Sequence, residues 1–283
     1  MVINTIGVVG AGTMGSGIAQ VAAQSGLQVT MVDVAPAALE RAHKTIASSL
    51  DRLVAKDKLD AASREQALAR IATASELAAL RTADLVIEAA TENLDIKLRI
   101  LRELDALLRP EALIASNTSS LSITVLAAVI QRPERFIGMH FFNPVPVMGL
   151  IELIRGLQTA DATHAAVEAL ARRLGKTPIS VRNAPGFVVN RILCPMINEA
   201  VFALQEGLAS AEDIDAGMRL GANHPIGPLA LADMIGLDVL LAVMDVLYEG
   251  FRDPKYRPPT LLREMVAAGL LGRKSGRGFF NYR

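Results

Sequence analysis

The first acidic or basic side chain is Asp33, and the uncharged stretch before it is broken by Gly7, Gly10, Gly12, Gly15 and Gly17. A secretory leader needs a positively charged start and an unbroken apolar centre, and Met1-Val2-Ile3-Asn4-Thr5 followed by repeated glycine provides neither. The stretch is therefore expected to be part of the fold. Ile6-Gly7-Val8-Val9 is a short, largely β-branched run of the kind found in strands covered on both faces. It enters Gly10-Ala11-Gly12-Thr13-Met14-Gly15, after which Ile18, Ala19, Val21, Ala22 and Ala23 recur at helical spacing. Gly26 ends that helix, and Gln28-Val29-Thr30-Met31-Val32 starts a second strand closing at Asp33.

Strand, glycine turn, helix, strand and acid in this order are the context a dinucleotide fingerprint requires. Gly10 permits the tight turn, and Gly12 lets a pyrophosphate approach the backbone without a Cβ in the way. Gly15 lets the helix pack closely on the strand, while the helix N-terminus faces the negative charge. Asp33 would accept hydrogen bonds from the adenosine ribose hydroxyls, and its charge would repel a 2′-phosphate, favouring NAD over NADP. The competing reading of the same glycines is a turn that binds nothing.

Composition narrows the partners. A chain of 283 residues with 51% hydrophobic and 20% charged residues makes one large domain or two modest ones, and is not disordered. Lys+Arg and Asp+Glu both number 29, so no basic excess draws a nucleic-acid backbone, and no nucleic-acid partner is expected. Aromatic residues at 4% and the absence of Trp argue against a carbohydrate or single-strand stacking platform. The lone Cys194 can form no internal disulfide and no cysteine zinc site, which suits a reducing compartment such as the cytoplasm. Apolar runs such as Val239–Val246 carry charges and fall short of the ~20 residues a membrane span needs.

After Asp33 comes a long helical excursion, Pro36 to Val54 and Ala61 to Ala69 around the polar Lys56-Asp57-Lys58, expected to project from the sheet as a hairpin. Residues 41–70 hold seven bases (Arg41, Lys44, Arg52, Lys56, Lys58, Arg64, Arg70) against four acids, which reads as a solvated face or as a landing surface for an anionic handle. The next strands are expected at 83–89, 112–116, 136–140, 150–154 and 177–181, with helices at 94–108, 122–130 and 165–174. From Asn183-Ala184-Pro185-Gly186 onward strands vanish, and 187–205, 211–220, 229–248 and 260–268 read as helix. The expected layout is α/β: a Rossmann-type domain over 1–183 with a helical hairpin insertion, then a smaller all-α domain over 184–283.

Ionisable groups inside buried strands need a reason. Opposed residues of a hairpin have a constant number sum, and a hairpin centred on Pro146 sets His140 against Glu152. A carboxylate holding one imidazole nitrogen fixes the tautomer, which makes a general base; the plainer reading is a structural pair. Ser119 follows the carboxyl end of a strand, where open α/β sheets bind ligands, or else caps the next helix. Asn190 falls four residues after Gly186 on the first helix of the second half, where it caps nothing. His43, His164 and His224 have no metal-site company, and no serine or cysteine nucleophile signature occurs.

These features together resemble the 3-hydroxyacyl-CoA dehydrogenase family, closest to its short bacterial 3-hydroxybutyryl-CoA dehydrogenases. The resemblance rests on Gly7–Gly17, Ser116–Leu121, Gly138–Pro144, Asn183–Arg191, Gly221–Pro228 and Gly272–Phe280, with Arg273 and Arg277 as minor departures. The first stretch alone also suits 3-hydroxyisobutyrate and 6-phosphogluconate dehydrogenases, but those use a lysine in the second domain rather than a His–Glu pair. The resemblance implies that His140 is the base and Glu152 its orienting partner, with Ser119 and Asn190 holding substrate and nicotinamide. It implies NAD contacts at Gly10, Gly12, Thr13, Met14, Gly15, Asp33, Glu92, Lys97, Asn117 and Asn143, and CoA-ester contacts at Ser119, Lys56, Asn190 and Asn223. It also implies an acyl-CoA substrate and a homodimer through the helical domain. A sugar-acid dehydrogenase of the same fold and a non-catalytic NAD-binding protein remain as alternatives.

Overall fold

The structure is a computed structural model that describes residues 2–282. It divides after Ala184 into two compact units. The first is built on one eight-stranded sheet: β1 (Thr5–Val9), β2 (Gln28–Val32), β3 (Ile71–Ala74), β4 (Leu85–Glu88), β5 (Leu113–Ser116), β6 (Phe136–Phe141), β7 (Leu150–Arg155) and β8 (Thr177–Arg182). Their order is β3-β2-β1-β4-β5-β6-β7-β8. Every neighbouring pair is parallel except β6 with β7, which form the antiparallel hairpin around the Pro146 loop. The order reverses between β2, β1 and β4, so a crevice opens past the carboxyl ends of β1 and β4, the usual ligand position in an open α/β sheet.

Helix α1 (Thr13–Gln24) follows the glycine turn, and its buried stripe of Ile18, Ala19, Ala22 and Ala23 lies on the sheet. The insertion is α2 (Pro36–Val54) and α3 (Ala61–Ala69), joined by a turn in which Asp57 takes a left-handed φ of 53°. It does not simply project. Leu39, Ala42, Ile46 and Leu50 of α2 and Ala67 of α3 belong to the same buried cluster as α1 and the sheet. Their spacing is one helix face, and burying it outweighs leaving the hairpin in solvent. The remaining helices of this unit are α4 (Leu94–Leu107), α5 (Ile123–Ala127) and α6 (Asp161–Arg173).

Two further expectations are corrected here. Strand β3 was not anticipated, because it is short, lies at the sheet edge and shows no buried alternation. Helix α5 stops at Ala127, where Ile130 N donates to Ala127 O and turns the chain, instead of running to Ile130.

The second unit is helical: α7 (Val189–Gln205), α8 (Ala211–Gly221), α9 (Pro228–Ile235), α10 (Leu237–Phe251) and α11 (Thr260–Ala267). The expected single helix over 229–248 is two, because Gly236 takes φ 104° and breaks the ladder. Asp215 caps α9 by accepting from Leu229 N and Ala230 N at 2.8 and 2.9 Å. Asp233, 1% exposed, anchors the tail by accepting from Phe279 N, Phe280 N and Tyr282 Oη. Among the described residues no helix is long and apolar enough to cross a membrane.

Cys194 sits in this helical core, and burial pushes its thiol up from 9.0 to about 12. A thiol kept protonated by burial is a poor nucleophile. The folded protein is therefore expected to resist a thiol reagent at pH 8 and to react on denaturation; one equivalent of rapid labelling in the native state would contradict this burial. The raised value also gives a stability contribution that is complete below about pH 9 and lost as pH rises toward 12.

Candidate active site

The glycine turn meets the end of β4. A Cβ on Gly10 would lie 2.6 Å from Ala89 O, and one on Gly15 would lie 1.8 Å from Gly10 O, so both positions exclude larger residues. Gly12 differs: it is exposed, nothing stands within 4 Å of its absent Cβ, and it is the N-cap of α1 with no side chain bonded there. An anion can thus come up to the helix N-terminus. Asp33 is held by the backbone, its Oδ2 accepting from Ala11 N at 2.8 Å and its Oδ1 from Ala35 N at 2.9 Å. Two N–H groups fix the carboxylate, and its remaining lone pairs suit ribose hydroxyls. Thr13 and Met14 open α1, the first exposed and the second packed against the core.

Ala11, Gly12, Thr13 and Asp33 border a cavity of about 750 Å³ that runs along α2 and is also lined by Asn143, Arg52 and Lys56. Of the seven bases in the insertion, Arg41, Arg52 and Lys56 line this cavity. Arg64 is spent on Asp51 and Glu65, and Arg70 on Ala23 O. The sequence showed a basic hairpin; which of its charges share one side depended on how α2 packs. No ion-pair partner lies near Arg41 or Lys56 among the described residues, so both cations are available to a ligand.

Along the carboxyl edge the next strand ends are tied together by side chains. Glu88, wholly buried, accepts from Lys97 Nζ, from Ser116 Oγ at 2.8 Å and from Ala90 N at 2.9 Å. Lys97 was expected to line the NAD site, but it is 1% exposed and its ammonium is engaged by Glu88 and Ser116. A buried carboxylate demands a counter-ion, so Lys97 bears on the site through Glu88 rather than by an open ammonium. Glu88 and Ser116 had not been singled out; a Glu inside an apolar strand was the available signal.

Glu92 gathers the chain past β5, accepting from Thr118 Oγ1 at 2.8 Å, Ser119 N at 2.6 Å and Ser119 Oγ at 2.8 Å. Ser119 is thus placed by Glu92; the cap of α5 is Ser122, which accepts from Val125 N. Asn183, also not anticipated, accepts from Ile123 N at 2.8 Å and donates to Ser122 Oγ at 2.9 Å, fixing the start of α5. Asn117, largely buried, accepts from Phe141 N at 2.9 Å and so joins the ends of β5 and β6. One residue earlier on β6, His140 stands opposite Glu152 of β7 in the ladder. His140 Nδ1 and Glu152 Oε2 are 2.7 Å apart, the His 6% exposed and the Glu fully buried. A carboxylate only accepts, so Nδ1 carries the proton and the imidazole lone pair lies on Nε2.

In the second unit, Asn190 is half-buried in the first turn of α7, and Asn223 is exposed after α8 with φ 56°. Among the described residues no group of three or more His, Cys, Asp and Glu could hold a metal ion.

A glycine turn at the switch point of a largely parallel sheet, with an acid closing the second strand, is the architecture of an NAD-dependent oxidoreductase, and the open Gly12 and backbone-held Asp33 fit that cofactor. The model for the 3-hydroxyacyl-CoA dehydrogenase NAD binding domain matches residues 5–184, and that for the C-terminal domain matches residues 186–282. The chain is 53% identical over 282 residues to the 3-hydroxybutyryl-CoA dehydrogenase of Bradyrhizobium diazoefficiens, covering 100% of this chain and 96% of that one. It is 44% identical to the 3-hydroxyadipyl-CoA dehydrogenase of Escherichia coli, over 99% of this chain and 59% of that protein. A crystal structure of (S)-3-hydroxybutyryl-CoA dehydrogenase from Ralstonia eutropha has a TM-score of 0.97 and 65% identity, with 99% of each chain covered. The chain belongs to the 3-hydroxyacyl-CoA dehydrogenase family.

Replacing Asp33 by Ala removes the acceptor for Ala11 N and a negative charge that would repel a 2′-phosphate bound beside it. Asp33→Ala is expected to weaken NADH binding by about tenfold or more and to narrow the NADH-to-NADPH preference. Titration with both cofactors checks it; an unchanged ratio would assign selection to another residue.

Proposed function

We propose that this protein oxidises (S)-3-hydroxybutyryl-CoA to acetoacetyl-CoA reversibly, with NAD as the oxidant. The observation that carries the reading is the His140–Glu152 pair at the carboxyl edge of the sheet. The substrate class comes from relatives that align over nearly their whole length. When bound, NAD supplies the acceptor for the hydride that leaves C3. His140 Nε2 takes the proton of the 3-hydroxyl, and Glu152 keeps the ring in the tautomer that can do so and faces the positive charge formed. In reduction the same nitrogen returns the proton to the ketone oxygen.

Ser119, placed by Glu92, is a contact for the hydroxyl or thioester group of the substrate, and Asn190 and Asn223 are further contacts for the ester and the nicotinamide. Positioning of this kind contributes through orientation and through hydrogen bonds that strengthen as charge develops. Lys56 receives a CoA phosphate, supported by its unpaired ammonium on a cavity that Arg41 and Arg52 also line. The cofactor contacts are Gly10, Gly12, Thr13, Met14, Gly15, Asp33, Glu92, Asn117 and Asn143. The domains run 1–183 for the cofactor and 184–283 for substrate and dimerisation. The working form is a homodimer, and a single buried thiol suits a cytoplasmic setting.

The reaction is tested by following the NADH absorbance band with acetoacetyl-CoA, and again with NADPH. NADH consumption with little NADPH consumption is expected; no consumption by protein that binds NADH would refute the reading. His140→Ala is expected to lower kcat by about 10²–10⁴-fold, the range of a general base, with NADH affinity nearly unchanged. Glu152→Gln should lower kcat in the same direction but less, and loss of NADH binding in either variant would contradict the assigned roles.

A further inference from the structure

Two lysines are buried in the first unit, Lys97 and Lys176. Lys97 has a carboxylate; Lys176 does not. Lys176 is 8% exposed, and its Nζ donates to Val145 O at 2.6 Å and Met148 O at 2.8 Å. No carboxylate stands within ion-pair distance among the described residues, and burial holds its amine below the ordinary 10.5. A cation taken out of water for two carbonyls is a costly way to fasten a surface turn, because desolvation is only partly offset.

The backbone around Lys176 is fixed on both sides. Gly175 ends α6 with φ 71°, Lys176 N returns to Ala171 O at 3.0 Å, and Thr177 N starts β8 by donating to Gly149 O at 2.7 Å. The side chain therefore reaches from a rigid base to the loop between β6 and β7. That loop is closed on itself, since Pro144 O accepts from Val147 N and Met148 N at 2.9 and 3.0 Å. On α1, a Cβ at Gly17 would come within 2.7 Å of Val145 Cβ, so helix and loop are already in closest approach there. The loop is gripped by α1 and by Lys176. Its residues Asn143 to Val147 form a wall of the cavity that Gly12, Thr13 and Asp33 also line.

We propose that Lys176 is a positioning residue for the cofactor: by drawing in Val145 O and Met148 O, it sets the Asn143–Val147 wall at the separation from the glycine turn that NAD requires. It touches neither NAD nor the acyl ester. The inference rests on NAD as cofactor and is independent of which hydroxyacyl ester is oxidised. Small displacements of a supporting wall loosen a bound ligand by misplacing the groups that meet it.

The test is Lys176→Met, which keeps the length and removes the charge, beside Lys176→Arg, which keeps donors for both carbonyls. The wild type and each variant are titrated with NADH alone by nucleotide fluorescence, then assayed with acetoacetyl-CoA; a wild type that binds NADH but does not turn over acetoacetyl-CoA would count against the substrate reading only. Lys176→Met is expected to raise the NADH Kd and KM in parallel by about tenfold, with kcat at saturation within about threefold of the wild type. Lys176→Arg should recover most of the affinity. An unchanged NADH Kd in folded Lys176→Met, whatever its Tm, would overturn the proposal, as would a fall in kcat with Kd unaltered. Should Lys176→Met not fold, Lys176→Gln is read by the same criteria.

Discussion

The close approach of the glycine turn to the end of β4 is the constraint on which the rest of the carboxyl edge depends. Gly10 sits where any side chain would collide with Ala89 O, so the two chain segments stay in place only while the residues after β4 hold their course. Glu88 sets that course by accepting from Ala90 N, and a buried carboxylate in that position can persist only with Lys97 and Ser116 around it. Removing one partner of such a group leaves an uncompensated charge at a cost of about 3–5 kcal/mol. The cofactor turn, β4, α4 and β5 are therefore one mechanical assembly, and Lys97 belongs to its foundation rather than to its surface.

The same device recurs along the edge. Asn117 joins β5 to β6, Glu152 joins β7 to β6 through His140, and Lys176 joins the start of β8 to the loop after β6. Each places a buried polar group between two segments of the chain and joins them by hydrogen bonds. The opposite edge has a counterpart in Asp84, where burial acts to raise the carboxyl but N–H donors from Asn4 and Thr5 outweigh it and hold it below its usual range. That carboxylate closes the bottom of the sheet on Arg109, far from the glycine turn along the strands. Dense polar burial at the carboxyl edge is expensive, and a sheet bears it where ligands are held and oriented.

Much of this is legible in the amino-acid sequence. The extents of β2, α2 and α3 follow from apolar spacing bounded by Gly26, Pro36 and the polar turn after Val54, and the hairpin arithmetic around Pro146 places His140 against Glu152. The edge strand β3 was hidden because its residues are half-exposed and alternate weakly. The break at Gly236 was hidden because apolar periodicity continues on both sides of it, and only the positive φ reveals that the ladder stops. The insertion was read as projecting because it is longer than an ordinary crossover, whereas its buried face is four residues of α2 and one of α3, small and aliphatic, that look ordinary in sequence.

The sequence by itself determined the local rules: where a Cβ is forbidden, where the period changes from two to that of a helix, and which acid follows the second strand. Those are set by sterics and by neighbours within a few residues. Only the tertiary structure decided which of seven bases share a cavity with the glycine turn, that Lys97 faces inward to Glu88, and that Lys176 grips the loop before β7. A long side chain can serve a solvent face, a ligand or a buried partner at equal local cost. The choice is made by desolvation and by charges that arrive from distant parts of the chain.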